Sequence, residues 1–168
     1  MRFTFFALII AFILLALTGC ATKYEDALNI NKLKAEYLEA TRTGEILNAL
    51  QTKVVATATY LNKIEPQKYN NKETFVVGIY YPSVQNSATN QGLDSKYIDL
   101  FMEENGQKIE YEIKEELNQD HSLLSQMPLY SKWYKYYLIE FEKIESEEFA
   151  IVIKEASFGE TKLEFNKQ

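Results

Sequence analysis

The chain of 168 residues has one cysteine, one histidine, three prolines and six glycines. Each scarcity excludes something. With Cys20 as the only thiol, no disulfide can form within the chain, so the fold must stand on its core even in an oxidising compartment. One thiol and one imidazole, His121, cannot make a Cys/His zinc set. The low glycine and proline content argues against a disordered tail. No G-x-S-x-G elbow, glycine-rich phosphate loop or EF-hand spacing occurs. Basic residues number 18 against 24 acidic, for a net charge of −6, which disfavours nucleic acid or anionic headgroups as charge-recruited partners. No catalytic residue, metal site or non-covalent cofactor is expected.

Two features use residue types found in active sites. Asp120-His121-Ser122 has the side chains of a nucleophilic triad. They are neighbours in a polar stretch, and a solvated loop is the expected setting. The acid pairs Glu103-Glu104, Glu115-Glu116 and Glu147-Glu148 could serve a glycosidase or calcium only by converging. Adjacent acids on a strand point to opposite faces, so solvated turn and edge charges are expected.

What is present begins at the amino terminus. Met1-Arg2 gives a short positive start. An uncharged apolar run follows from Phe3 to Leu17, the pattern of a secretory signal. It ends in Leu17-Thr18-Gly19-Cys20. That tetrapeptide resembles the lipobox of bacterial lipoprotein precursors. The resemblance covers Met1 to Ala21 and implies that residues 1–19 are a removed signal peptide. It implies that Cys20 is the lipid attachment site and the acylated first residue of the mature protein. It also implies a membrane-anchored protein of the bacterial cell envelope, and Ala21 in place of aspartate leans towards the outer membrane. Several acyl chains anchor stably where one does not. Removing Arg2 with the signal leaves 17 basic against 24 acidic residues, so contact with the membrane is expected through the lipid.

Residues 20–42 are expected to hold the lipidated terminus and an amphipathic helix. Ile30, Leu33, Tyr37 and Ala40 share one helix face, and Gly44 stands where a helix stop is expected. Residues 43–168 read as a β domain, with all twelve tyrosines of the chain lying after the signal. Expected strands are Glu45–Ala49, Thr52–Leu61, Thr74–Tyr81, the two arms of a hairpin, Trp133–Phe141, Phe149–Glu155 and Lys162–Phe165. Asn105-Gly106 is a two-residue hairpin turn. Counting outward pairs Met102 with Ile109, Leu100 with Tyr111 and Ile98 with Ile113 on an apolar face. Glu103 then meets Lys108 on the other face, and Asp99 meets Glu112. Glu115 to Tyr130 is expected to be a long connection with a helical turn. Seven or eight strands without a βαβ rhythm predict a mainly β fold, an antiparallel immunoglobulin-like sandwich preceded by one helix.

The stretch Tyr130 to Tyr137 (YSKWYKYY) is the densest in aromatics. Trp133 and Tyr137 share a face with Ile139 and Phe141, predicting core. Tyr134 and Tyr136, flanked by Lys132 and Lys135, are the candidate partner-binding patch. The functional expectation is a non-catalytic interaction or accessory module that docks on another envelope protein. The alternative is a carrier for a small apolar or sugar ligand.

Overall fold

A computed structural model describes residues 32–83 and 92–167. The signal peptide, Cys20, most of the expected helix and residues 84–91 of the polar loop lie outside the described residues. The helix is described from residue 32 to residue 39 (α1). Among the described residues nine strands follow, with one short α-helix between β2 and β3. They are β1 (Thr41–Asn48), β2 (Gln51–Tyr60), α2 (Leu61–Ile64), β3 (Glu73–Tyr80), β4 (Ile98–Glu104), β5 (Gln107–Ile109), β6 (Ile113–Leu117), β7 (Lys135–Phe141), β8 (Glu148–Glu155) and β9 (Gly159–Asn166).

The strands form two antiparallel sheets, ordered β1-β2-β3-β7-β6 and β5-β4-β8-β9. Read as A-B-E-D, the strands β2-β3-β7-β6 face β5-β4-β8-β9 as C′-C-F-G. This is the strand order of an immunoglobulin-like sandwich, with β1 added beside β2. Alternation accounts for the core. In β2, Val54, Ala56, Ala58 and Tyr60 all point inward. From the opposite sheet Leu100, Met102, Ile151 and Ile153 meet them. The centre is aromatic: the Phe75 ring lies 5.0 Å from Tyr60, 5.3 Å from Phe165 and 6.0 Å from both Phe141 and Phe149.

The Asn105-Gly106 turn forms as expected, with φ of 50° and 77°. Its pairs Met102–Ile109, Glu103–Lys108 and Glu104–Gln107 have the expected register. The hairpin is shorter than expected, however. After Ile109 the chain leaves β4, and β6 joins the other sheet beside β7, with Ile113 opposite Glu140. The expected Leu100–Tyr111 and Ile98–Ile113 pairs do not form. On its other edge β4 pairs with β8, Leu100 facing Ile153 and Met102 facing Ile151. Asp99 does not meet Glu112; it bonds Lys108 at 2.8 Å, while Glu112 pairs with Lys72. β6 is the strand missing from the expected count, because Lys114, Glu115 and Glu116 look like a solvated connection. They are the charges of an edge strand, which discourage pairing with other chains.

Gly44 is not a helix stop. It lies inside β1, where a Cβ would stand 2.3 Å from Thr161 Oγ1 and 2.8 Å from Leu163 Cδ2. The missing side chain lets β1 approach β9 closely. Of the expected helix face, Tyr37 and Ala40 are buried, whereas Leu33 is exposed.

The core face of β4 gives the first expected outcome. Leu100 is 2 % exposed, and Leu100→Ala should cost about 2–5 kcal/mol by losing buried methylenes and leaving a cavity. Phe101 is half-buried on the outer face, with the Lys108 ammonium 4.5 Å above its ring. Phe101→Ala should cost less. Denaturant melts of the two variants check the order, and a clearly costlier Phe101→Ala would contradict this register.

Candidate interaction surface

The five-stranded sheet carries a second apolar layer on its outer face. Tyr37 from α1, Leu61 from α2, Val76, Leu117 and Tyr136 pack there with Leu124 and Met127 from the connection between β6 and β7. That connection contains a 3-10 turn, Ser122–Gln126. His121 caps it, its Nδ1 accepting the Leu123 N–H at 3.3 Å. The imidazole thus has a structural task. The single Tyr37 O–H is shared between the Glu65 carboxylate, at 3.2 Å, and the Gln126 amide oxygen, and burial first, then the Glu65 charge, pushes its phenol up to about 12.

A run of four tyrosines passes through this layer at Tyr136. Tyr80 and Tyr134 have centroids 5.5 Å apart, Tyr134 and Tyr136 are 5.8 Å apart, and Tyr136 and Tyr130 are 5.6 Å apart. Strand register makes the stack. Tyr136 stands opposite Gly78, where a Cβ would come 2.6 Å from the Tyr136 ring and 2.8 Å from Thr57 Oγ1. Only a bare backbone lets the ring lie across β3.

The structure divides the candidate residues. Tyr136 is 3 % exposed and therefore not part of an exposed patch. Its hydroxyl accepts the Ser131 N–H at 2.9 Å, and burial raises its phenol to about 12. The connection folds back over the sheet and covers it, which strand alternation alone does not reveal. Tyr134 is half-buried, and its phenol is raised by burial and then by the Glu45 charge. Lys135 pairs with Glu116 at 3.3 Å. Lys132 is exposed, its ammonium 5.3 Å above the Trp133 ring. Trp133 is 45 % exposed rather than core, because β7 begins two residues later at Lys135. Tyr137, Ile139 and Phe141 are core as expected.

The exposed surface is therefore Leu129, Tyr130 and Trp133, bordered by Tyr134 and Tyr80. Tyr80 joins it through the pairing of β3 with β7, a contact no local pattern shows. Flat aromatic faces with polar tips suit contact with a folded partner. The crevice between Tyr136, Met127 and the threonines Thr41, Thr57 and Thr59 has only about 10 Å³ of room. A broader trough of about 700 Å³ crosses β8 and β9. Both of its cations are engaged: Lys162 pairs with Glu103 at 2.7 Å, and Arg42 bonds the Glu164 carbonyl at 3.1 Å while covering the Phe165 ring. Within the pair Glu103-Glu104 the carboxylates diverge, Glu103 facing Lys162 and Glu104 accepting the Ser146 N–H at 3.0 Å. Among the described residues no three His, Cys, Asp or Glu side chains are grouped as a metal site.

No protein-family model, curated protein or solved structure matches the chain.

Proposed function

We propose that this chain is a lipid-anchored protein of the bacterial cell envelope, held through acylated Cys20. Its sandwich acts without catalysis by docking on another envelope protein. The Leu17-Thr18-Gly19-Cys20 motif supports the anchor and Ala21 the outer membrane. The observation that carries docking is the exposed aromatic shelf of Leu129, Tyr130 and Trp133, braced from below by buried Tyr136. Rigid aromatics set on a packed layer lose little entropy on binding, which favours them as interface anchors. A carrier for a small apolar or sugar ligand would need a hollow of roughly 300–1,000 Å³ against such rings. The crevice at Tyr136 is far smaller.

Photo-cross-linking in intact cells tests this reading. A cross-linkable residue at Trp133 should give one discrete protein adduct, and the same residue at exposed Glu164, on the opposite sheet, should not. Adding Tyr130→Ser should reduce the Trp133 adduct by about tenfold, the loss of ~1.4 kcal/mol from one interface anchor. Identical products from both positions, or none from either, would refute docking through this shelf.

A further inference from the structure

We infer that one end of the sandwich inserts apolar loop tips into a lipid bilayer. Three turns meet there. The β1–β2 hairpin closes at Ala49-Leu50, with Asn48 opposite Gln51. The β8–β9 turn carries Phe158, and the Lys53 ammonium of β2 lies 5.5 Å above its ring. The turn before β4 carries Tyr97, whose carbonyl accepts the Ala156 N–H at 2.9 Å. One face of each turn is solvent. Leu50 is 99 % exposed, Leu47 55 %, Tyr97 52 % and Phe158 39 %.

The hairpin is costly in two ways at once. Ala49 and Leu50 have φ of 48° and 65°, where a side chain is disfavoured and Asn-Gly is the usual choice. The strained turn then holds a leucine wholly in water. Strain of this kind persists where the surroundings impose it and gathers at binding sites. The register slips between Ile46 and Leu47, which leaves Lys53 as the extra residue of a bulge; bulges re-aim side chains, and Lys53 reaches Phe158.

The chemistry fits a bilayer better than a protein. The exposed tips belong to separate turns, so a protein partner would need several matching pits, whereas lipid closes round each tip. Both exposed rings have a lysine over them, Lys53 at Phe158 and Lys96 at Tyr97, the latter at 5.0 Å. Aromatic rings with snorkelling lysines are the chemistry of the membrane–water interface. Lys53 also donates to the Gln51 amide oxygen at 3.0 Å, and the Glu155 carboxylate in the β8–β9 turn is occupied by the Ser157 and Phe158 N–H groups at 2.7 and 2.9 Å. Apolar insertion, not net charge, is the driving force, so the contact should survive high salt. None of these side chains belongs to the aromatic shelf, and the inference does not depend on docking there or on acylation.

The test uses the full chain reconstituted into vesicles of phosphatidylethanolamine and phosphatidylglycerol. An environment-sensitive fluorescent amino acid replaces Leu50, or Glu164 as the control. Position 50 should shift to the blue and be quenched at least about twofold by spin-labelled lipid, in low and high salt alike; position 164 should do neither. Leu50 makes no core contact, so its replacement leaves the fold intact, as near-ultraviolet circular dichroism verifies. A water-like signal at position 50 would overturn the inference. So would a blue shift that needs native envelope proteins, or one that appears without lipid as the protein is concentrated, since the occupant would then be a partner protein or a second copy.

Discussion

Phe75→Ala should be among the most damaging single substitutions in the chain, costing about 3–5 kcal/mol, the range for a buried aromatic cut to alanine. Phe75 is fully buried on β3, and its ring touches aromatics from both sheets. Tyr60 stacks on it, while Phe141, Phe149 and Phe165 meet it edge-on. Truncation removes all four contacts and opens a void between the sheets, where partners fixed on strands can collapse only in part. The loss is a large share of the ~5–15 kcal/mol that stabilises a typical domain. Urea melts of the detergent-solubilised protein should show the midpoint falling with little change in slope. A cost below about 1 kcal/mol would mean that this cluster is not the centre of the core.

Lys167→Met should be nearly as severe, and for a different reason. Glu73 is 1 % exposed at the start of β3. One carboxylate oxygen takes the Lys167 ammonium at 3.0 Å and the Ile144 N–H at 3.3 Å; the other accepts the Tyr60 hydroxyl. Burial, followed by this bond to Glu73, raises the Tyr60 phenol strongly. Lys167 also bonds the Ile144 carbonyl, and its own N–H donates to the Glu147 carbonyl at 3.0 Å. The segment just after β9 is thus fastened to β3 of the other sheet by a charge pair. Removing the lysine leaves a carboxylate in the core without its cation. Lost partners of this kind cost about 3–5 kcal/mol when fully buried; Lys167 keeps some contact with water, so about 2–4 kcal/mol is expected. The double variant Glu73→Gln/Lys167→Met should recover at least half of that loss, because neither charge then remains. A double variant as unstable as the sum of the singles would show that the pair is not coupled.

Much of the sandwich can be read along the chain, and the exceptions have physical causes. Turn chemistry and alternation agree at Asn105-Gly106, so the register of β4 against β5 is legible. Where the hairpin ends is not: Tyr111 and Ile113 continue the alternation although the backbone has already crossed to the other sheet. β6 is hidden by its charges, which an edge strand tolerates and a central strand does not. Gly44 belongs to the packing of β1 against β9, a contact between residues far apart in sequence. The same holds for the candidate surface. The aromatic stretch from Tyr130 to Tyr137 is plain, but its division into shelf and support depends on the connection folding over Tyr136. Gly78, which makes room for that ring, and Tyr80, which extends the stack, are found only once β3 and β7 are paired.

The lipid anchor is the central claim, because it decides where the aromatic shelf acts. Mass spectrometry of the mature protein from membranes tests it most directly. The account predicts an amino-terminal peptide beginning at Cys20 and carrying acyl chains, with Cys20→Ala yielding only the larger, uncleaved precursor. An unmodified Cys20 still joined to Gly19 in the mature protein would contradict it.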